Sequence, residues 1–451
     1  MPFRHITVLS AVLLVAACGT EPAAPIPPAA PRELTATRVG SGGPGYDVAL
    51  AWSLDGAAAT EQLIERKGSG EEFELVASVA GADRAWTDVK PPQGVVYSYR
   101  VRAKGPGGES PHSEEVEVAV PTAADLVARP PNATVRLSVA FDKSLNRPSG
   151  FGFHPTEGSL WIVNRGDDST VIVDDFDRPG QRHVAFEDDS AHFMNNPTQL
   201  SFSNINTFGT CGETANDYNG QAQENYFMGP VVWTADRKDY EGGTMSHYDM
   251  LHETSYCMGI TNKKEDEYWA FNGDKGSIDQ NFFGEHHPLG ADDHSDGRIY
   301  RYAVGEVKRV PNVPSHMVYN PDDDYVYIAD TGNSRIARIR TNADLSKAKL
   351  IRGYLNETPL YAVDWTRTET VAKGPESGLV QPSGLLLYKG MLIVSDRATS
   401  RISVFNTRGE RLGYADVSSQ KDFLGGLAIR DDKLYVLDMK DNRVLRVDVT
   451  F

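Results

Sequence analysis

A short phrase recurs along the C-terminal two-thirds of this 451-residue chain: an apolar strand, an Asp or Asn, a polar loop, then Arg or Thr with Ile or Val opening another strand. It reads Val326-Tyr-Ile-Ala-Asp330-Thr-Gly-Asn-Ser-Arg335-Ile336, then Leu392-Ile-Val-Ser-Asp396-Arg-Ala-Thr-Ser-Arg401-Ile402, then Leu434-Tyr-Val-Leu-Asp438-Met-Lys-Asp-Asn-Arg443-Val444. A degenerate copy, Leu160-Trp-Ile-Val-Asn164-Arg-Gly-Asp-Asp-Ser-Thr170-Val171, comes earlier. A unit of this size cannot bury its apolar face alone, so copies must stack, and β-rich units favour a radial array, a propeller. Function is then expected in the central channel and the loops around its mouth.

Six segments read as strands that open a repeat: Pro148–Phe153, Pro197–Leu200, Tyr256–Ile260, Pro314–Val318, Pro382–Leu385 and Leu424–Ala428. Second strands are expected near Leu160, Val231, Tyr268, Tyr325, Met391 and Leu434. The step from Asn164 to Asp438 averages about 55 residues per repeat, longer than the ~40–50 of most propeller blades, which predicts loop insertions. The last repeat shows three strands, near 425–429, 433–438 and 442–449. The orphan segment 133–141, which precedes the first repeat, is expected to supply the fourth and so to hide a sheet edge. Residues 130–451 are thus read as a six-bladed β-propeller.

The N-terminus gives an address. Arg4 and His5 precede an apolar run, Ile6 to Ala17, too short to span a bilayer and fitting a signal-peptide core over residues 1–18. The run ends Leu14-Val-Ala-Ala-Cys18, which resembles the lipobox of bacterial lipoproteins. That resemblance implies a lipidated Cys18 as mature N-terminus, and Gly19 in place of Asp implies an outer-membrane address in the bacterial cell envelope. Residues 19–31 are a Pro/Ala linker, extended and semi-rigid. With Cys18 lipidated, Cys211 and Cys257 remain in an oxidising compartment, where a disulfide is expected, free or metal-bound thiolates being the alternative. The net charge of −17 argues against nucleic acid and acidic lipid as partners, because their phosphates would be repelled. No later stretch is apolar enough to cross a membrane, so the lipid is the expected membrane contact.

Residues 32–122 alternate apolar and polar positions over short strands, which predicts a β-sandwich. The early Leu34, Trp52, the strand Tyr97-Ser-Tyr99-Arg-Val101-Arg-Ala103 and the turn Gly105-Pro-Gly-Gly-Glu-Ser-Pro closely resemble a fibronectin type III domain. It holds no acid/base cluster, so spacing, or contact with protein or glycan, is its expected job. The whole chain is therefore expected to be all-β: a fibronectin type III β-sandwich followed by a propeller.

Chemistry is expected where the repeat is least regular. Residues 203–297 hold both Cys and five of the eleven His: His247, His252, His286, His287 and His294. Imidazole beside carboxylate is what Zn, Cu or a similar divalent ion selects, and His247, His252, His286 and His316 are the candidate ligands. The alternative is that these groups cap loops and satisfy buried backbone.

Two resemblances bear on the site. The phrase Asp-x-x-x-Ser-Arg-Ile resembles the NHL repeat. The propeller is distantly similar to the peptidyl-hydroxyglycine amidating lyases, whose channel holds zinc on three His. Asn164-Arg165-Gly166-Asp167 and Ser395-Asp396-Arg397 look like segments bearing active-site arginines, which implies Arg165 and Arg397 at the site, and His316 stands where one zinc ligand is expected. The chain departs at Gly425-Gly426 and Pro197-Thr198, where His is expected, and at Thr331-Gly332 in place of a catalytic Tyr, so the lyase activity is not carried over. The metal set of gluconolactonase-like hydrolases is not legible either. The leading reading is binding of a protein, peptide or glycan ligand at the loop-rich mouth; the alternative is a metal-dependent lyase or hydrolase with a His-lined channel.

Overall fold

The computed structural model describes residues 25–450, apart from 41–45, 57–58, 69, 90, 93–94, 121–133, 189–192, 216, 219–220, 223–226, 241–243, 246, 290, 292, 352–357, 375 and 419. The signal segment, Cys18 and the first part of the Pro/Ala linker lie outside the described residues. The chain divides into two compact units, with Val120 closing the first and residues 121–451 in the second. Both are built from β-strands; the helical turns among the described residues are three 3-10 turns, Arg237–Tyr240, Thr331–Asn333 and Leu345–Lys347. None of these is long and apolar enough to cross a membrane.

In the smaller unit Arg32–Gly40, Tyr46–Ser53 and Ala85–Asp88 form one antiparallel sheet. Glu74–Ala80, Glu61–Gly68, Val95–Gly105, Gly108–Glu109 and Val116–Val120 form the other. The two share one core: Val48, Leu50 and Trp52 from the first meet Ile64, Tyr97, Tyr99, Val101 and Val120 from the second. Period-2 alternation explains the pairing, because each strand can bury only one face.

Among the described residues the larger unit contains six sheets, each of four consecutively paired strands or an extension of that plan, and a two-stranded ribbon of Asp217–Tyr218 and Gln221–Ala222. Sheet one contains Pro148–Phe153, Leu160–Asn164, Ser169–Asp174 and Arg182–Asp188, with Thr244–Met245 parallel at its edge. Sheet two contains Pro197–Phe202, Thr207–Gly212, Val231–Thr234 and His247–Met250. Sheet three contains Cys257–Lys264, Glu267–Asn272, Ser277–Phe282 and Arg298–Tyr302, extended by Leu360–Val363 and Lys349–Ile351. Sheet four is Met317–Asn320, Tyr325–Asp330, Arg335–Arg340 and Glu369–Lys373; sheet five is Pro382–Tyr388, Met391–Asp396, Arg401–Asn406 and Arg411–Asp416. Sheet six is Leu424–Arg430, Lys433–Asp438 and Arg443–Thr450, completed by Thr134–Phe141, the strand expected to join it.

Contacts between first strands run in a cycle, from sheet one through sheet six and back to sheet one. Six apolar clusters follow the same order, one between each neighbouring pair. Trp161, Leu200 and Trp233 link sheets one and two; Phe141, Phe151, Leu160 and Leu437 link sheets six and one. A second strand therefore has a core on both sides, which is why these strands read as unbroken apolar runs instead of alternating ones.

One expected strand is misplaced. The second strand of sheet two is Thr207–Gly212, and the segment at Val231 is its third strand, with Thr210 opposite Val231. The run Thr-Phe-Gly-Thr-Cys-Gly lacks branched aliphatics and so reads as loop. It is buried throughout because its glycines admit neighbours: a Cβ on Gly209 would lie 2.5 Å from the Tyr268 ring.

The recurring Asp is a stitch. Asp330 is fully buried; Oδ2 accepts from Arg335 Nε at 2.7 Å and Asn333 Nδ2 at 2.8 Å, and Oδ1 from the Lys308 N–H at 2.9 Å. Asp438 repeats the pattern with Arg443 Nε at 2.8 Å and the N–H groups of Lys440 and Asp441. Asp396 holds the Val380 and Gln381 N–H groups and Thr399, while Arg401 turns instead to Asp416. Buried strand ends carry unpaired loop amides, and a carboxylate there satisfies several at once.

Candidate functional site

Arg165 and Arg397 occupy the same place in their sheets, directly after the second strands of sheets one and five. A third charged residue, Glu213, follows the second strand of sheet two. Arg165 is buried, and its Nη2 donates to Glu213 Oε2 at 2.7 Å. Arg309 Nη1 donates to the other oxygen at 2.9 Å, its guanidinium lying 4.1 Å over the Tyr256 ring, and the Asn312 N–H reaches both oxygens at 3.0 Å. One carboxylate thus serves two guanidiniums, and Arg165 Nε remains buried with no hydrogen-bond partner among the described residues.

Arg397 is half-buried. It does not pair with Asp396, whose oxygens are taken by backbone; its Nη1 instead lies 3.6 Å from Met439 Sδ. Burial lowers its pKa; Asp422 opposes this shift and the positive charge of Arg165 adds to it. Two guanidiniums share the Glu213 carboxylate, and Arg397, felt by Arg165 and opposed by Asp422, adds a third positive charge to this group in a chain of net charge −17. Guanidinium forks recognise carboxylate and phosphate in two-point fashion.

His316, expected inside a first strand, immediately precedes Met317–Asn320. Its Nε2 lies 3.2 Å from the Ser149 carbonyl oxygen of sheet one and 3.1 Å from that of Thr198 of sheet two, and its N–H donates to Ser383 of sheet five at 2.9 Å. A nitrogen facing carbonyls carries hydrogen, so that Nε2 has no lone pair to offer a metal. Burial holds the imidazole neutral, with its pKa lowered to about 4, opposed by the bonds to Thr198 and Ser149. A Cβ on Gly426 would lie 2.8 Å from the ring, so the glycine at the place of an expected ligand makes room for His316.

The other expected ligands separate. His286 Nε2 sits 2.7 Å from Asp266 Oδ1 with its ring stacked on Tyr248, and the bond to Asp266 raises its pKa. His252 turns Nδ1 to the Phe227 carbonyl. His247 alone of the four joins a set whose ligand atoms lie within 4.8 Å of one another, and its companions are His287 and His294. This set sits on the fourth strand of sheet two and the loop 283–297 of sheet three, away from the first strands.

Cys211 and Cys257 form the expected disulfide, joining the second strand of sheet two to the first strand of sheet three. Sequence reasoning missed Glu213 as the partner of Arg165 and Arg309 as the second cation on that carboxylate. Glu213 had a signal, its place after a second strand, but that strand was not recognised. His287 and His294 lay in the noted His-rich stretch, where spacing along a loop does not tell which rings converge.

No protein-family model and no curated protein matches the chain. Among solved structures it is similar to an auxiliary nutrient binding protein from Bacteroides ovatus, at 12% identity, over 90% of this chain and 95% of that one, with a TM-score of 0.42. A Fn3-like protein from Clostridium thermocellum is 27% identical over 21% of this chain and 95% of its own, with a TM-score of 0.18. The fibronectin type-III domain of a human fibronectin type III domain containing protein is 22% identical over 23% of this chain and 95% of its own, also with a TM-score of 0.18.

Proposed function

We propose that this is a lipid-anchored protein of the bacterial outer membrane that binds a small anionic ligand through a six-bladed, NHL-like propeller, held off the bilayer by the linker and a fibronectin type III domain. The ligand carries carboxylate or phosphate, groups that acidic peptides and glycans also present. The cyclic contacts of six first strands, with one apolar core per neighbouring pair, support the propeller. The apolar run ending at Cys18 supports the anchor.

The observation that carries the ligand class is Arg397, half-buried beside Arg165 and lacking a carboxylate contact among the described residues, while Glu213 is already shared. An anion placed there relieves the repulsion between the guanidiniums. Isothermal titration with inorganic phosphate and small di- and tricarboxylates tests this. At least one of them is expected to bind, and Arg397→Gln to weaken it roughly 10- to 100-fold, the worth of a charge-assisted hydrogen bond, at unchanged melting temperature. Equal affinity of the variant, or no binding by any of these anions, overturns the proposal.

A further inference from the structure

We infer that His247, His287 and His294 form a binding site for a borderline transition-metal cation, of the Zn(II) and Cu(II) class, through three imidazole nitrogens. The rings arrive from two sheets. His247 opens the fourth strand of sheet two, and the others sit in the loop between Ser277–Phe282 and Arg298–Tyr302 of sheet three. One ring nitrogen of each lies within 4.8 Å of the others, and no residue of the three is more than 8% exposed. Bringing three polar rings together out of water is unfavourable unless their lone pairs find a partner. A shared cation can take one nitrogen from each ring, the buried His287 Nε2 among them.

The surrounding hydrogen bonds decide which nitrogens are available. His287 Nδ1 is 2.8 Å from the Pro288 carbonyl oxygen, which can only accept, so Nδ1 carries the hydrogen and Nε2 the lone pair. That Nε2 is buried with no hydrogen-bond partner among the described residues. His294 Nδ1 is 2.8 Å from Asp249 Oδ1, and Asp249 is itself fully buried, with the Met250 N–H at 2.6 Å on the same oxygen. A carboxylate behind an imidazole fixes the tautomer and raises the basicity of the far nitrogen, the arrangement found behind metal-bound histidines. The His247 ring stacks on Phe193 at a centroid distance of 3.6 Å and meets His287 edge-on at 5.1 Å. His252 packs edge-on against His294 at 5.7 Å and forms part of the wall.

The donor set names the class of ion. Three neutral nitrogens suit Zn(II), Cu(II) and their neighbours, whereas Mg(II) and Ca(II) require oxygen. Three protein ligands also leave one position of a tetrahedron for water or a small molecule. The site is distinct from the arginine cluster and does not depend on it.

The test uses the purified full-length chain, extracted with chelator and checked for an unchanged β-sheet spectrum, then titrated with Zn(II) and with Co(II) as a coloured probe. About one ion per chain is expected, with Co(II) bands of a nitrogen-coordinated site and a higher melting temperature in the presence of metal. His287→Gln is expected to abolish stoichiometric binding. Asp249→Asn, which keeps the shape but weakens the support of His294, is expected to lower affinity roughly 10- to 100-fold. Should His287→Gln fail to fold, the Asp249→Asn titration carries the test alone. No stoichiometric binding by the folded wild-type chain, or undiminished affinity in folded variants, overturns the inference.

Discussion

Sheets four to six and sheets two and three follow the same strand plan and use their loops in opposite ways. In the first group each second strand ends in a buried Asp whose oxygens are committed to loop amides and, at Asp330 and Asp438, to arginine: Asp330, Asp396 and Asp438. In the second group the stitch degrades. Sheet two ends its second strand in Gly212, and sheet three keeps an Asn272 that holds the N–H groups of Asp274 and Lys275. There a disulfide and longer loops do the fastening, and buried imidazoles collect between the outer strands. The repeated phrase is thus a device of stability, and the buried imidazoles gather where the repeat lapses.

The largest effect that would break this contrast is on the stitch. Asp330→Ala leaves Arg335 and the Lys308 N–H without their buried acceptor, and such a loss costs about 3–5 kcal/mol. Denaturant melts of this variant and of Asp438→Ala should both show it; a cost below about 1 kcal/mol would mean that the phrase is not what holds these sheets.

Next comes the disulfide. Replacing Cys211 and Cys257 by Ala opens a link across 46 residues and should cost about 2–4 kcal/mol. Hydrogen exchange would sharpen the contrast: protection should fall in sheets two and three and persist in sheets four to six. Uniform loss across all six sheets would show that the two groups unfold as one.

The third effect is up to about 3 kcal/mol and belongs to His316. Its folded pKa, about 4, lies below the unfolded value of 6.5, so the unfolded chain takes up the proton first. The stability contribution is complete above pH 6.5 and is lost as pH falls from 6.5 towards 4. A His316→Gln variant should show a flatter pH dependence of stability over that window; a slope equal to wild type would sink the assignment.

Much of the fold was legible because strand periodicity is local. The second strands at Tyr325–Asp330, Met391–Asp396 and Lys433–Asp438 coincide with the recurring phrase, and the strand that completes sheet six stood out as an orphan. Thr207–Gly212 escaped because its burial depends on glycine and small polar residues rather than on branched side chains. The site was less legible. The likeness of their segments to a known family pointed to Arg165 and Arg397, but Glu213, which Arg165 shares with Arg309, follows a strand that could not be seen. Of the His-rich stretch, His286 went to Asp266 and His252 to a carbonyl, and only His247 joined the cluster, because loop geometry, not spacing, brings rings together.

The pairing of Thr134–Phe141 with Arg443–Thr450 has a consequence for synthesis. Ser138 and Asp448, hydrogen-bonded across that pair, stand 310 residues apart. Sheets one to five draw their strands from residues 148–416, and sheet six waits for the last ones. Until those emerge, the early strand presents an unsatisfied edge, and closing so long a loop is slow. A chain truncated before Arg443 would leave Thr134–Phe141 without its partner strand and the sixth sheet open.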